Sequence, residues 1–134
     1  MNLSALNSDT GKLILRLSVG GLMLFHGISK LMHPGSLDFI AGMLAGYSLP
    51  AILAYGVYIG EVLAPLMVIA GYNARLGGLL MAINMLFALL LAHTGDFFSL
   101  SEHGGWMVEL QMFYLLSAVS VVFLGSGNLA VKPD

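Results

Sequence analysis

Long apolar runs, separated by short polar or glycine-rich breaks, fill most of this chain. Four of them are close to the roughly 20 residues that an α-helix needs to cross a hydrocarbon core. They cover about residues 11–32, 50–71, 74–92 and 106–125. We therefore predict an all-α integral membrane four-helix bundle, in which residues 1–134 form a single transmembrane domain.

A shorter apolar stretch lies between the first two runs. Ser36 follows Pro34-Gly35, as an N-cap residue would, and apolar residues recur at helical spacing as far as Tyr47. The stretch is too short to span a membrane. We predict a short interfacial helix along the membrane surface or against the bundle, with an ordered loop as the alternative.

The composition indicates that the chain is embedded in a lipid bilayer. Hydrophobic residues make up 58% of the chain and charged residues 9%, whereas soluble domains carry about 25% charged residues. Membrane lipid is therefore an expected partner, and nucleic acid is not, because no cluster of Lys and Arg is present. The absence of cysteine excludes thiolate metal sites and a thiol–disulfide relay, so a redox role would need a bound cofactor or a partner.

Basic residues near the ends of the runs predict the orientation in the membrane. If the runs alternate in direction, most of the basic residues share one side: Lys12, Arg16, Arg75 and Lys132. Both termini are therefore expected to be cytoplasmic. The predicted short helix and the loop over residues 93–105 are expected on the outer side.

One stripe of the first helix carries charged and small residues at steps of three and four. Its members are Arg16, Gly20, Met23, Gly27 and Lys30. Ionisable groups inside a membrane usually face the bundle interior and find partners there. This stripe is therefore the predicted packing face of the first helix.

Glu61 is the deepest carboxylate in the chain and shares a helix face with Tyr58. Pro65 lacks an N–H and frees the carbonyl of Glu61 from its helical bond, which predicts a local kink and a small polar cavity. We expect Glu61 to pair with Arg16. Two interpretations of this buried pair remain open: it only holds two helices together, or it takes part in ligand binding or proton transfer.

A second polar cluster is predicted near the outer surface. His26, Lys30 and Glu109 lie at similar depth, with Gln111 as a further candidate. A contact that only pairs helices is the alternative. Asn84, midway along the third helix, predicts an interhelical hydrogen bond.

The histidines do not predict a metal or haem site. His26, His93 and His103 stand apart, without the paired spacing typical of metal ligands. We therefore predict no metal centre.

Several motifs together resemble the DoxX family of small four-helix bacterial membrane proteins. The resemblance is carried by Leu15-Arg16-Leu17, Phe25-His26-Gly27-Ile28-Ser29-Lys30, Gly60-Glu61-Val62, the Ile69–Arg75 turn, Glu109 and Gly125-Ser126-Gly127. One departure follows the last motif, where the family commonly has a Ser-Ile/Leu-Asp tail and this chain has Asn128-Leu129-Ala130.

The resemblance implies a multi-pass protein of the bacterial inner (cytoplasmic) membrane that takes part in redox chemistry, as a subunit of a quinone-linked oxidoreductase. Its members include a subunit of a quinol oxidase or thiosulfate:quinone oxidoreductase. The expected ligand is a quinone-like or other amphipathic small molecule in the bundle, and a quinone is a possible cofactor. The polar stripe offers His26 or Lys30 as donor and Glu61 or Glu109 as proton acceptor. Tyr58 lies beside this polar stripe.

Two other functions remain open. One is a non-enzymatic assembly or stabilising partner of another membrane or secreted protein, which the small size and the glycine-rich helix faces favour. The other is a small-solute or proton carrier built around Glu61, for which a homo-oligomer would supply further helices.

Overall fold

A computed structural model describes residues 7–134, so residues 1–6 of the predicted domain lie outside the described part. The elements are α1 (Ser8–Met32), α2 (Gly35–Ala45), α3 (Ala51–Ala70), α4 (Ala74–Ala92) and α5 (Glu109–Leu124). The segment α3 is composite: a 3₁₀ turn at Ala51–Tyr55 and a π-helical turn at Ile59–Leu63 interrupt its α-helix. No strand occurs among the described residues.

The helix limits follow the hydropathy pattern, and local hydrogen bonds explain the differences. α4 has the predicted limits, whereas α1 begins earlier, because the Asn7 side chain accepts the N–H of Asp9 at 2.7 Å and caps the helix. α5 begins at Glu109 and not at Trp106. The indole of Trp106 donates to the Phe97 carbonyl at 2.7 Å, which keeps this residue in the preceding loop.

The stretch between α1 and α3 is a helix, so the loop alternative is wrong. Its predicted start is also wrong in detail. α2 begins at Gly35, Pro34 occupies the cap position, and no side chain caps the helix. Pro34 already has a helical φ of -58° and can begin the helix without a capping side chain.

Each long helix packs against two others. α1 contacts α3 and α5, and α4 contacts the same two helices. Their buried side chains form one apolar core: Val19, Met23, Ala64, Val68, Ala74, Met81, Ala82, Met85, Tyr114, Ala118 and Val121. By length and composition α1, α3 and α4 could each cross a membrane, whereas α5 is apolar but has only 16 residues.

Both ends of the described chain lie at the same end of the molecule. The backbone N–H of Asn128, in the C-terminal tail, donates to the carboxylate of Asp9 at 3.0 Å. Further along the tail, Val131 and Lys132 donate backbone hydrogen bonds to the carbonyls of Ala70 and Gly71. The tail therefore ties the start of α1 to the turn between α3 and α4.

Candidate functional site

The π-helical turn of α3 places Glu61 inside the molecule. In an α-helix the carbonyl of Glu61 would accept an N–H from residue 65, but that residue is Pro65 and has none. The turn widens instead, and the N–H of Ala64 bonds the carbonyl of Ile59, five residues back. π-Helical turns occur frequently at functional sites. The irregularity predicted near Pro65 is therefore present, as a π-helical turn.

A glycine lets α1 approach this turn closely. A Cβ atom on Gly27 would lie 1.9 Å from the carbonyl oxygen of Glu61, so no larger residue fits without separating the helices. On the other side of the turn, a Cβ atom on Gly60 would lie 2.4 Å from the Cβ of Asn84. These two glycines bring α1 and α4 into contact with the residues flanking Glu61.

Both carboxylate oxygens of Glu61 have partners. Lys30 forms an ion pair with Oε1, and the Asn84 amide donates to Oε2 at 2.9 Å. Glu61 is 4% exposed, whereas the Lys30 side chain keeps 28% of its surface accessible. Burial of a carboxylate is costly unless it is paired and hydrogen-bonded, and this one is both. We call Lys30, Glu61 and Asn84 the polar triad.

The polar triad lies in the wall of an apolar groove of about 610 Å³ between α2, α3 and α4. Sites for small molecules usually have volumes of about 300–1,000 Å³, mostly apolar walls and a few polar groups. The apolar lining comes mainly from these residues: Phe39, Ile40, Met43, Leu44, Leu53, Val57, Ile59, Leu80, Ile83, Phe87 and Leu91. The groove therefore has the size and lining of a site for an amphipathic small molecule.

The triad presents hydrogen-bond donors without a net charge. An ammonium group has three N–H donors, and the ion pair with Glu61 engages one of those of Lys30. The charges of Lys30 and Glu61 cancel each other, so an ionic ligand would gain little. A neutral carbonyl or hydroxyl group, by contrast, could accept a hydrogen bond from Lys30.

His93 lines the groove at the end of α4. Its Nδ1 lies 3.2 Å from Asp96 Oδ2, and its Nε2 lies 3.4 Å from the amide nitrogen of Gln111 in α5. The side-chain oxygen of Gln111 is buried and has no hydrogen-bond partner among residues 7–134. Sequence analysis did not place His93 or Asn84 in a ligand groove, although the interhelical hydrogen bond predicted for Asn84 is confirmed.

The predicted pair of Arg16 and Glu61 is wrong. Arg16 is 1% exposed and donates to four backbone carbonyls, those of Val68, Ile69, Ser126 and Leu129, at 2.7–3.0 Å. These carbonyls lie near the end of α3 and in the C-terminal tail, well away from the π-helical turn. Lys30 takes the place beside Glu61 because Gly27, one turn before it, contacts the Glu61 backbone.

The predicted outer cluster of His26, Lys30 and Glu109 does not form among the described residues. Lys30 turns to Glu61, and Glu109 is exposed at the start of α5. His26 is exposed and packs edge-on against Tyr114, with 5.7 Å between the ring centres. The further candidate, Gln111, lies beside His93.

Tyr58 is half-buried and packs edge-on against Tyr55, with ring centres 6.3 Å apart. It does not line the groove. Of the six residues predicted to form a site, the structure therefore brings Lys30 and Glu61 together there. Ligand binding by any of the six stays a prediction.

Comparison with known proteins adds a family and one relative. The family model described as DoxX matches residues 11–94. The chain is also similar to a Bacillus subtilis (strain 168) protein named "Putative oxidoreductase CatD", with 25% identity over 126 residues, which cover 93% of this chain and 87% of the relative. No solved structure shows a significant match.

Proposed function

The chain belongs to the DoxX family of membrane proteins, and from that premise we propose that it holds a quinone-like molecule in the groove as a subunit of an oxidoreductase. The observation that carries the proposal is the polar triad in the wall of an otherwise apolar groove. A quinone needs an apolar slot and a donor for its carbonyl, and Lys30 supplies that donor.

The proposal includes four membrane crossings, by α1, α3, α4 and α5, in the cytoplasmic membrane of a bacterium. At 1.5 Å per residue, the 16 residues of α5 reach about 24 Å, somewhat less than a hydrocarbon core of about 30 Å. A bilayer accommodates such a short helix by local thinning at modest cost. The basic residues near the shared end of the chain support a cytoplasmic position for both termini.

The redox step requires a second component. Reduction of a quinone to a quinol takes up two electrons and two protons, and the chain has no cysteine to supply electrons. We assign the two electrons to a partner protein, membrane-bound or secreted, with its own redox group, and the two protons to the aqueous phase. In this scheme Lys30 orients the quinone carbonyl by a hydrogen bond, and Glu61 holds Lys30 in place. The name of the similar Bacillus subtilis protein, "Putative oxidoreductase CatD", supports an oxidoreductase context.

Titration of the purified protein in nanodiscs with a short-chain quinone tests the proposal. Asn84→Leu removes a polar member of the triad and keeps the number and branching of the side-chain heavy atoms, and we expect binding weaker by about tenfold or more, the loss of about 1.4 kcal/mol. Lys30→Met is expected to do the same. Ser120→Ala is the matched control, because the Ser120 hydroxyl bonds the carbonyl of Leu116 in its own helix and does not line the groove.

Circular dichroism and thermal unfolding establish that each variant is folded. If the folded Asn84→Leu and Lys30→Met variants bind as tightly as the wild type, the quinone does not occupy this groove. If the wild type binds neither quinone nor quinol, the proposal is wrong, and a role as an assembly partner becomes the better account.

A further inference from the structure

The groove has an open side as well as a polar wall. We propose that its ligand is a neutral lipid with a long hydrocarbon chain, which enters sideways from the bilayer with its headgroup first and leaves the chain between α3 and α4. This inference rests on the proposed function and specifies its substrate class. Three features of the groove carry it: its shape, its opening and its charge.

The groove is elongated along α4. Its lining follows one helical stripe from Leu80 to His93, at steps of one, three and four residues. At 1.5 Å per residue this stripe is about 20 Å long. The triad residue Asn84 lies within about one turn of the inner end, and the lining between it and His93 is apolar. A headgroup at the triad therefore leaves a long apolar surface for a chain.

The opening of the groove faces sideways. Ile59 of α3 and Ile83 and Phe87 of α4 line the groove and are 48%, 42% and 49% exposed. They lie well inside their helices, so in a membrane their exposed surface meets hydrocarbon. A chain that leaves the groove between these side chains stays in an apolar medium.

The end of the groove away from the chain termini is covered. α2 packs against the first turn of α3 and contacts α4, and its Leu44 is buried. Just beyond α2, the Tyr47 hydroxyl donates to the carbonyl of Leu90 in α4 at 3.3 Å. With this end covered by α2, the gap between α3 and α4 is the direct entrance for a ligand dissolved in the bilayer.

The charge at the triad selects among lipid headgroups. Lys30 is already neutralised by Glu61, so a phosphate would meet a neighbouring carboxylate without a free cation. A carbonyl or hydroxyl headgroup meets an N–H donor and carries no charge into a medium of low dielectric constant. A neutral quinone or alcohol lipid therefore fits the triad, and an anionic phospholipid does not.

The test compares two ligands and two variants in nanodiscs, with affinities expressed as mole fractions in the bilayer so that partitioning is not counted as binding. The ligands are a quinone with a long isoprenoid chain and the same ring without a chain. Ile83→Trp fills the opening. Leu86→Trp is the matched control, because Leu86 is 47% exposed on the same helix and does not line the groove.

We expect the wild type to bind the chain-bearing quinone at least about tenfold more tightly than the bare ring, because van der Waals packing of the chain against the groove lining adds to the hydrogen bond of the ring. Ile83→Trp should remove most of this difference in affinity between the two ligands, whereas Leu86→Trp should leave the difference unchanged. An alkyl phosphate of equal chain length should not compete.

The outcomes separate this inference from the proposed function. If neither quinone binds the wild type, the proposed function itself fails. If the ring binds but the chain adds no affinity, or if Ile83→Trp and Leu86→Trp behave alike, sideways entry with an exposed chain is wrong. Competition by the alkyl phosphate would overturn the neutral headgroup.

Discussion

Replacing Arg16 by methionine tests whether this buried cation stabilises the fold through backbone carbonyls. The substitution keeps a long unbranched side chain and removes four hydrogen bonds, to the carbonyls of Val68, Ile69, Ser126 and Leu129. Two of these carbonyls end α3 and two belong to the C-terminal tail. Arg16→Met should therefore both destabilise the helices and release the tail.

The magnitude follows from the number and kind of bonds. A hydrogen bond from a charged donor contributes about 1.5–3 kcal/mol in soluble proteins, whereas interhelical bonds in membranes average nearer 0.6 kcal/mol with a maximum of about 1.7 kcal/mol. Four bonds at about 1 kcal/mol each give about 4 kcal/mol. Because release of the tail returns its two carbonyls to water, we expect a loss of about 3–4 kcal/mol.

The free energy of unfolding is measured by denaturant titration of the detergent-solubilised protein, and release of the tail by its rate of limited proteolysis. Arg16→Lys keeps the charge but not the planar fork of donors, so it should recover less than half of the loss. Arg75→Met is the matched control. Arg75 is exposed and donates to two carbonyls at the end of α5, so its loss should be about 1 kcal/mol. Equal losses for Arg16→Met and Arg75→Met would refute this reasoning.

Two further predictions concern the π-helical turn. Gly27→Ala should lower the free energy of unfolding by about 2–3 kcal/mol, because its Cβ would overlap the carbonyl of Glu61. In the control Gly42→Ala, in α2, the added Cβ meets no neighbouring atom, so this change should be neutral or slightly stabilising. Similar losses for both variants would show that α1 does not approach the π-helical turn closely. The second prediction is a coupling energy of about 1–3 kcal/mol between Lys30→Met and Glu61→Gln in a double-mutant cycle, measured by the same unfolding titration. Strictly additive losses of unfolding free energy would rule out the ion pair.

The hydropathy pattern predicted the helices well, because the length and apolarity of a helix are local properties. The packing face of α1 was also predictable, since Arg16, Gly20, Met23 and Gly27 are all buried at a single stripe. The ends of the helices were predicted less well, because they depend on hydrogen bonds of individual side chains. The start of α5 moved because of a single indole hydrogen bond, that of Trp106.

The partner of Glu61 could not be predicted, because it depends on the relative depth of two helices. Arg16 and Lys30 share one face of α1, and either could face a carboxylate on a neighbouring helix. α3 begins with a 3₁₀ turn, which rises about 2.0 Å per residue, and then contains a π-helical turn. Both change the depth of Glu61, and it lies level with Gly27 and Lys30.

The groove was beyond sequence reasoning for a similar reason. It exists because α2 packs over one end of the gap between α3 and α4, and no pattern within α2 indicates where it docks. Polar residues in apolar helices were nevertheless a sound signal, because Lys30, Glu61 and Asn84 all belong to the groove wall. Their grouping is a property of tertiary packing.

Photoaffinity labelling with an azido-quinone tests the central claim most directly. The protein in nanodiscs is irradiated with the probe, digested and analysed by mass spectrometry, with excess unlabelled quinone as competitor. We predict competable labelling of peptides that cover residues 56–61 of α3 and 80–93 of α4, because most of the groove-lining residues of these two helices lie in these segments. Competable labelling confined to α1 and α5 around His26 and Tyr114 would contradict the account.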